Sequence, residues 1–136
     1  MAHKTKEYYP SLVKEIFHFL QTEYEFQLVR DDYSNSGVFI IYQNKFGKVG
    51  IIIEYRNNEI FVELVKGKNT EYPSDMEFGN NIKPLKELVK KHDPFYDINK
   101  LQIGEGYQEY FQTLRENAAI LKKYGDKILK GQEWIE

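Results

Sequence analysis

Between residues 37 and 67 the chain alternates, and that alternation limits the folds open to it. The stretches GVFIIYQN, KVGIIIEYR and EIFVELVKG are rich in β-branched and aromatic residues. Such residues suit a pleated, half-buried surface. The stretches are punctuated by NKFG and NN, turn chemistry that sends a strand back along its neighbour. Two successive antiparallel hairpins follow. The segment FQLVRDD, which precedes YSNSG, adds a strand in front, so the expectation is a meander of about four strands.

Pairing Gln43 with Lys48 and Arg56 with Glu59 assigns every strand residue to a face, because side chains alternate with period two. One face collects Val38, Ile40, Tyr42, Val49, Ile51, Ile53, Tyr55, Ile60, Val62 and Leu64. It is almost wholly apolar and requires a cover of helices. The other carries Phe39, Ile41, Gln43, Gly50, Ile52, Glu54, Arg56, Phe61, Glu63 and Val65. That second face is mixed, with an apolar centre and charges around it.

Helical periodicity flanks the strands. In YPSLVKEIFHFLQTEYEF the residues Leu12, Val13, Ile16, Phe17, Leu20 and Tyr24 share one broad face, as in an amphipathic helix. Pro10 suits a first turn, where its missing N–H costs little. NIKPLKELVKKHDP reads as a short helix with Leu85, Leu88, Val89 and His92 on one side. Pro84 opens it and Pro94 lies beyond its end. After the connector FYDINKLQIGEG a long helix starts near Gly106. Its seam runs through Tyr110, Leu114, Ala118, Leu121 and Gly125 to Ile128 and Leu129, with Gly131 as the stop. The glycine at 125 either ends the helix, bends it or permits close packing. The order of elements specifies an α+β fold: an N-terminal helix, an antiparallel meander of about four strands and two C-terminal helices, in a single domain over residues 1–136.

Composition narrows the functional classes. Nineteen basic against 21 acidic residues give a net charge of −2, whereas nucleic-acid binding usually rests on a basic surface. Without cysteine, disulfides and thiolate metal sites are ruled out. MAHKTKEYYP has no apolar core of the kind a signal peptide requires. No segment approaches the ~20 continuous apolar residues of a membrane span. The expectation is a cytoplasmic protein that binds neither nucleic acid nor membrane. Eleven tyrosines lean the composition towards binding, since tyrosine is enriched at interfaces.

Catalytic motifs are weak. There is no Gly-x-Ser-x-Gly elbow, and Ser11, Ser34, Ser36 and Ser74 fall at helix starts or in loops, where capping and turn roles explain them. HDPFYD offers His92, Asp93 and Asp97, but their spacing matches no standard metal motif. His92 at a helix C-terminus instead complements the dipole. GEG at 104–106 precedes a helix, yet Glu105 would repel phosphate. KFGKVG at 45–50 lies in a strand–strand turn and lacks the helix of a P-loop. No metal or cofactor is expected.

Two surfaces remain. On the mixed face, Phe39, Ile52, Glu54, Arg56, Phe61 and Glu63 combine an apolar centre with a charged rim, as protein interfaces do. The competing expectation, which a large apolar patch favours, is that the terminal helix covers this face and makes a third layer. Base stacking on Phe39 and Phe61 is opposed by Glu54 and Glu63. The second surface is an acidic stripe of Glu105, Glu109, Gln112 and Glu116 along the long helix, a place for a basic partner. Its bland explanation is a helix acidic early and basic late, as the macrodipole favours.

The segment LRENAAILKKYGDKILKG resembles the C-terminal helix of many small bacterial proteins of unknown function, some encoded beside polymorphic or contact-dependent toxins. The outline of helix, meander and terminal helix is similar to that of some toxin-neutralising immunity proteins. The resemblance implies a non-catalytic protein that binds one cognate toxin domain, monomeric or homodimeric. It provides no motif from which binding residues carry over. Two alternatives stand beside it. One is a small enzyme or ligand-binding domain with a pocket between sheet and helices, using His92, Asp93, Tyr96 and Asp97. The other is a structural subunit that dimerises through the mixed face.

Overall fold

A computed structural model describes residues 8–72, 81–102 and 106–135, with backbone alone at Tyr8 and at 106–109. Helices α1 (Tyr8–Ile16) and α2 (Phe19–Tyr24) lead into strands β1 (Gln27–Tyr33), β2 (Gly37–Gln43), β3 (Gly47–Glu54) and β4 (Glu59–Lys66). A short β5 (Ile82–Pro84) then precedes α3 (Leu85–His92), the single turn α4 (Asn99–Gln102) and the long α5 (Gly106–Leu129). The strands form one antiparallel meander in the order β1-β2-β3-β4-β5. The α+β class and its segregated order are as the periodicities specify. There is one strand more than expected, because three residues at Ile82–Pro84 pair with Glu63, Leu64 and Val65 before the helix begins. Pro84 is therefore the extended N-cap of α3 rather than part of its first turn.

The first hairpin has the expected register, Gln43 opposite Lys48. The second is shifted by two residues: Glu54, not Arg56, faces Glu59. Its loop is four residues long, Tyr55–Asn58, and closes with Asn58 at φ 54°. The Asn57 side chain donates back to Glu54 at 3.0 Å. A slip of two keeps each side chain on its own face, so the two-face assignment survives for the ladder residues. Arg56 does not; it sits exposed in the turn.

β1 departs in another way. A bulge between Leu28 and Arg30 shifts the register, leaving Val29 half exposed. The extra residue turns Arg30 onto the mixed face, opposite Ile41, and Asp31 onto the other, where it pairs with Lys14 of α1 at 2.6 Å. Bulges and charges of this kind blunt an exposed strand edge.

The N-terminal helix is two pieces rather than one. A turn at Phe17–His18 interrupts it, and Leu20 N–H bonds to the Phe17 carbonyl at 3.0 Å, three residues back. The break lets Phe17 and Leu20 both reach full burial. α2 ends on Glu25 in the left-handed region. α5 runs unbroken past Gly125, where an added Cβ would lie 3.7 Å from Leu88 and 2.9 Å from Leu121. The glycine therefore does not end the helix, and the Leu88 distance is an ordinary van der Waals contact with α3. Gly131, at φ 74°, is the stop. Gln132 N–H reaches the Lys127 carbonyl at 2.7 Å and Gly131 N–H the Ile128 carbonyl at 3.0 Å, the paired bonds of a Schellman cap.

One hydrophobic core joins the apolar face of the sheet to the helices: Val38, Ile40, Tyr42, Val49, Ile51, Ile53, Ile60, Val62 and Leu64 pack with Val13, Phe17, Leu20, Leu88, Leu114 and Leu121. The expected third layer does not form. α5 docks on the same apolar face as the other helices, since that face offers far more apolar surface to its seam. Phe39, Ile52 and Phe61 stay outside the core and only partly buried. No helix of the described residues is long and apolar enough to cross a membrane.

A candidate binding face on the sheet

Because the described helices all pack on one side, the mixed face is a second surface with its own geometry. Its lattice follows from the register. Phe39 faces Ile52, Ile52 faces Phe61, Glu54 faces Glu59, and Gly50 lies between Ile41 and Glu63. Phe61 therefore has Glu59 and Glu63 two residues away on its own strand and Glu54 diagonally across, all on one face.

A hollow of about 460 Å³ opens over this lattice, with Phe39, Ile52 and Phe61 in its floor and Arg30, Asp32, Glu54 and Glu63 among its walls. A second hollow, about 340 Å³, is lined by Ile82, Lys83, Pro84, Lys86 and Glu87 and shares Phe61 and Glu63 with the first. Together they form a groove that crosses the sheet from β1 to the start of α3.

The charges around the groove are unevenly used. Arg30 pairs with Asp32 at 2.5 Å and places its guanidinium 4.7 Å from the centre of the Phe39 ring, a cation–π contact. Glu54, Glu59 and Glu63 have no basic side chain within salt-bridge distance among the described residues. Like charges directly opposite on neighbouring strands, as at Glu54 and Glu59, cost stability.

Tyr72, beyond the end of β4, packs on the same face above Gly50. Its ring stands edge-on to Phe39 with centroids 5.9 Å apart, and its hydroxyl donates to Glu63 at 2.6 Å. Burial first, then the charge of Glu63, raises the Tyr72 hydroxyl well above the ordinary phenol range. It remains a donor at any physiological pH. The space for this ring exists because residue 50 has no side chain: a Cβ there would lie 2.7 Å from two of its ring carbons. Lys48 ties the same segment down by donating to the Thr70 carbonyl at 2.9 Å.

Of the residues picked from sequence, Phe39, Ile52, Glu54, Phe61 and Glu63 come together here. Arg56 does not join them, for the register reason above. Of the acidic stripe, Glu105 and the Glu109 side chain lie outside the described residues, Gln112 is exposed, and Glu116 accepts a bond from the Tyr96 hydroxyl. Sequence reasoning missed Arg30, Asp32, Glu59 and Tyr72. The β1 bulge and the two-residue slip hid the first three. An alternating pattern with a bare glycine at 50 was the available signal for the fourth.

The alternative cluster is dispersed. His92 is exposed and stacks on Tyr124, centroids 4.7 Å apart and planes 12° off parallel. The Asp93 and Asp97 carboxylates accept from the Phe95 and Asn99 backbone N–H groups at 3.3 and 3.1 Å. Burial and the Glu116 bond raise Tyr96 well above the phenol range. One hollow between sheet and helices, bounded by Ile60, Val62, Leu85, Leu101 and Asn117, measures about 20 Å³, room for one water. Among the described residues no group of three His, Asp or Glu is placed to hold a metal. No family model, curated protein or solved structure matches this chain.

Proposed function

We propose that this chain is a non-catalytic binding protein that engages another protein through the helix-free face of its sheet. The groove over Phe39, Ile52 and Phe61 is the observation that supports this reading. An apolar centre inside a charged rim is the anatomy of a protein interface. Aromatic residues, phenylalanine among them, are also enriched at the centre of such interfaces. The finer reading, an immunity-type protein that neutralises a cognate bacterial toxin domain in the cytoplasm, rests on the likeness of the terminal segment. A binder of this kind acts by covering its partner's active site, which calls for surface and shape rather than catalytic groups.

The test is a growth assay. The product of the gene adjacent to this one is expressed in a bacterial host alone, with the intact chain, and with an Ile52→Arg variant. Toxicity that the intact chain relieves and the variant does not is the expected outcome. A harmless neighbour, or rescue undiminished in the variant, sinks the reading. Circular dichroism of the variant guards against a trivial loss of fold.

A further inference from the structure

We infer that the groove is built for an extended, arginine- or lysine-bearing segment of the partner, with a cationic side chain seated on Phe61 between Glu54 and Glu63. This rests on the proposed binding role of the face and specifies what it receives.

Three observations converge on that occupant. The first is charge. Glu54, Glu59 and Glu63 surround one aromatic ring and form no ion pair among the described residues, the nearby Lys83 pairing with Glu87 instead, although two of them face each other across adjacent strands at a cost in stability. A guanidinium or ammonium group would relieve that repulsion and complete the arrangement. The second is ring geometry. Phe61 is half-buried in the floor with carboxylates on either side, so a cation over its face gains the ring's quadrupole and carboxylate hydrogen bonds together. At the other end of the floor Arg30 already lies over Phe39 and pairs with Asp32. The protein thus satisfies one aromatic–carboxylate pair internally and leaves the equivalent pair on β4 for a partner.

The third observation is length. The two hollows share Phe61 and Glu63 and span from β1 to β5, with Lys83 and Lys86 at the β5 end, so the cationic side chain belongs over Phe61 and not at that end. With strands ~4.8 Å apart, the crossing is about 19 Å, the reach of roughly six extended residues. A chain segment fits that dimension better than a small cation. The Tyr72 hydroxyl fixes the Glu63 carboxylate on this face with a 2.6 Å bond.

The experiment uses the whole chain, isotope-labelled, titrated with a blocked hexa-arginine peptide; a Gly/Ser hexapeptide and spermidine serve as controls. Expected are amide shift changes centred on Phe39, Ile52, Glu54, Phe61 and Glu63. Affinity should fall about tenfold in the Glu54→Gln/Glu63→Gln double variant, as for two exposed ion pairs. Phe61→Leu, with every charge kept, should weaken binding by about threefold. Shifts centred elsewhere, an unchanged affinity in the double variant, or spermidine binding as tightly as the peptide each overturn the inference. The growth assay separates it from the reading beneath it. Rescue lost with Ile52→Arg but kept in the double glutamine variant leaves the binding face standing and removes the cationic occupant. Rescue kept with Ile52→Arg removes the face itself.

Discussion

Asn44 sits in the turn between β2 and β3 and is buried, although it is polar. Its carboxamide makes four hydrogen bonds. The oxygen accepts from the Phe46 and Gly47 backbone N–H groups at 2.8 and 3.1 Å. The nitrogen donates to the carbonyls of Tyr24 and Leu129, both at 3.1 Å. One side chain thus ties the hairpin turn to the last residue of α2 and the last residue of α5. At a net ~1 kcal/mol per neutral bond, removing all four in Asn44→Ala costs about 4 kcal/mol. That is a large share of the 5–15 kcal/mol typical of a domain. For 136 residues an unfolding entropy of roughly 0.29 kcal/mol/K converts the loss to a Tm drop near 14 °C. Urea unfolding followed by circular dichroism and the single Trp134 measures it directly. Asn44→Asp sharpens the test. It keeps both acceptor bonds but sets carboxylate oxygen against two carbonyl oxygens, so its folded pKa is raised. A raised folded pKa means the deficit is least below the unfolded value of ~3.9 and grows as pH climbs to the folded value. A loss under ~1 kcal/mol for Asn44→Ala, or a pH-independent Asn44→Asp, would refute the view that this residue joins the three elements.

Tyr42 is fully buried and its hydroxyl has no hydrogen-bond partner among the described residues; burial first, then the charge of Asp31, pushes its pKa up to about 12. Tyr42→Phe should therefore stabilise the protein by about 1 kcal/mol, read as a higher urea midpoint at unchanged slope, and a destabilised variant would contradict the account. Gly50→Ala should evict Tyr72 from the sheet face with the fold intact, seen as loss of the Tyr72–Phe39 ring contact in nuclear Overhauser spectra; persistence of that contact would show that the face accommodates both. The Tyr24 hydroxyl donates to Asp126 at 2.5 Å, and that bond first, then Lys130, holds the Asp126 carboxyl below the usual carboxylate range. Its contribution to stability is full above the unfolded pKa and fades as pH falls through the lower folded one. Tyr24→Phe should move the Asp126 titration, followed by carboxyl-carbon chemical shifts, upward towards the ordinary value, and an unmoved titration would rule out the hydroxyl as the main cause.

Alternation alone determined the antiparallel meander and which ladder residues share a face. Period two is a local property, and even a two-residue slip at Tyr55–Asn58 left Ile51, Ile53, Ile60 and Val62 on the core side. The helical stripes of residues 8–24 and 106–129 were legible for the same reason, as were Gly131 as a stop and the segregated order of elements. What local patterns could not decide was set by competition between distant surfaces. The terminal helix had two sheet faces available, and the more apolar one won it, which left Phe39, Ile52 and Phe61 outside the core. A bulge at Val29, invisible to strict alternation, carried Arg30 and Asp32 to that same face. Tyr72, far from Phe39 and Gly50 in the chain, found its place only because the folded sheet presents a bare glycine beside Glu63. The mixed face is therefore a tertiary product: sequence supplied its residues, and the packing of helices on the opposite side made it a surface.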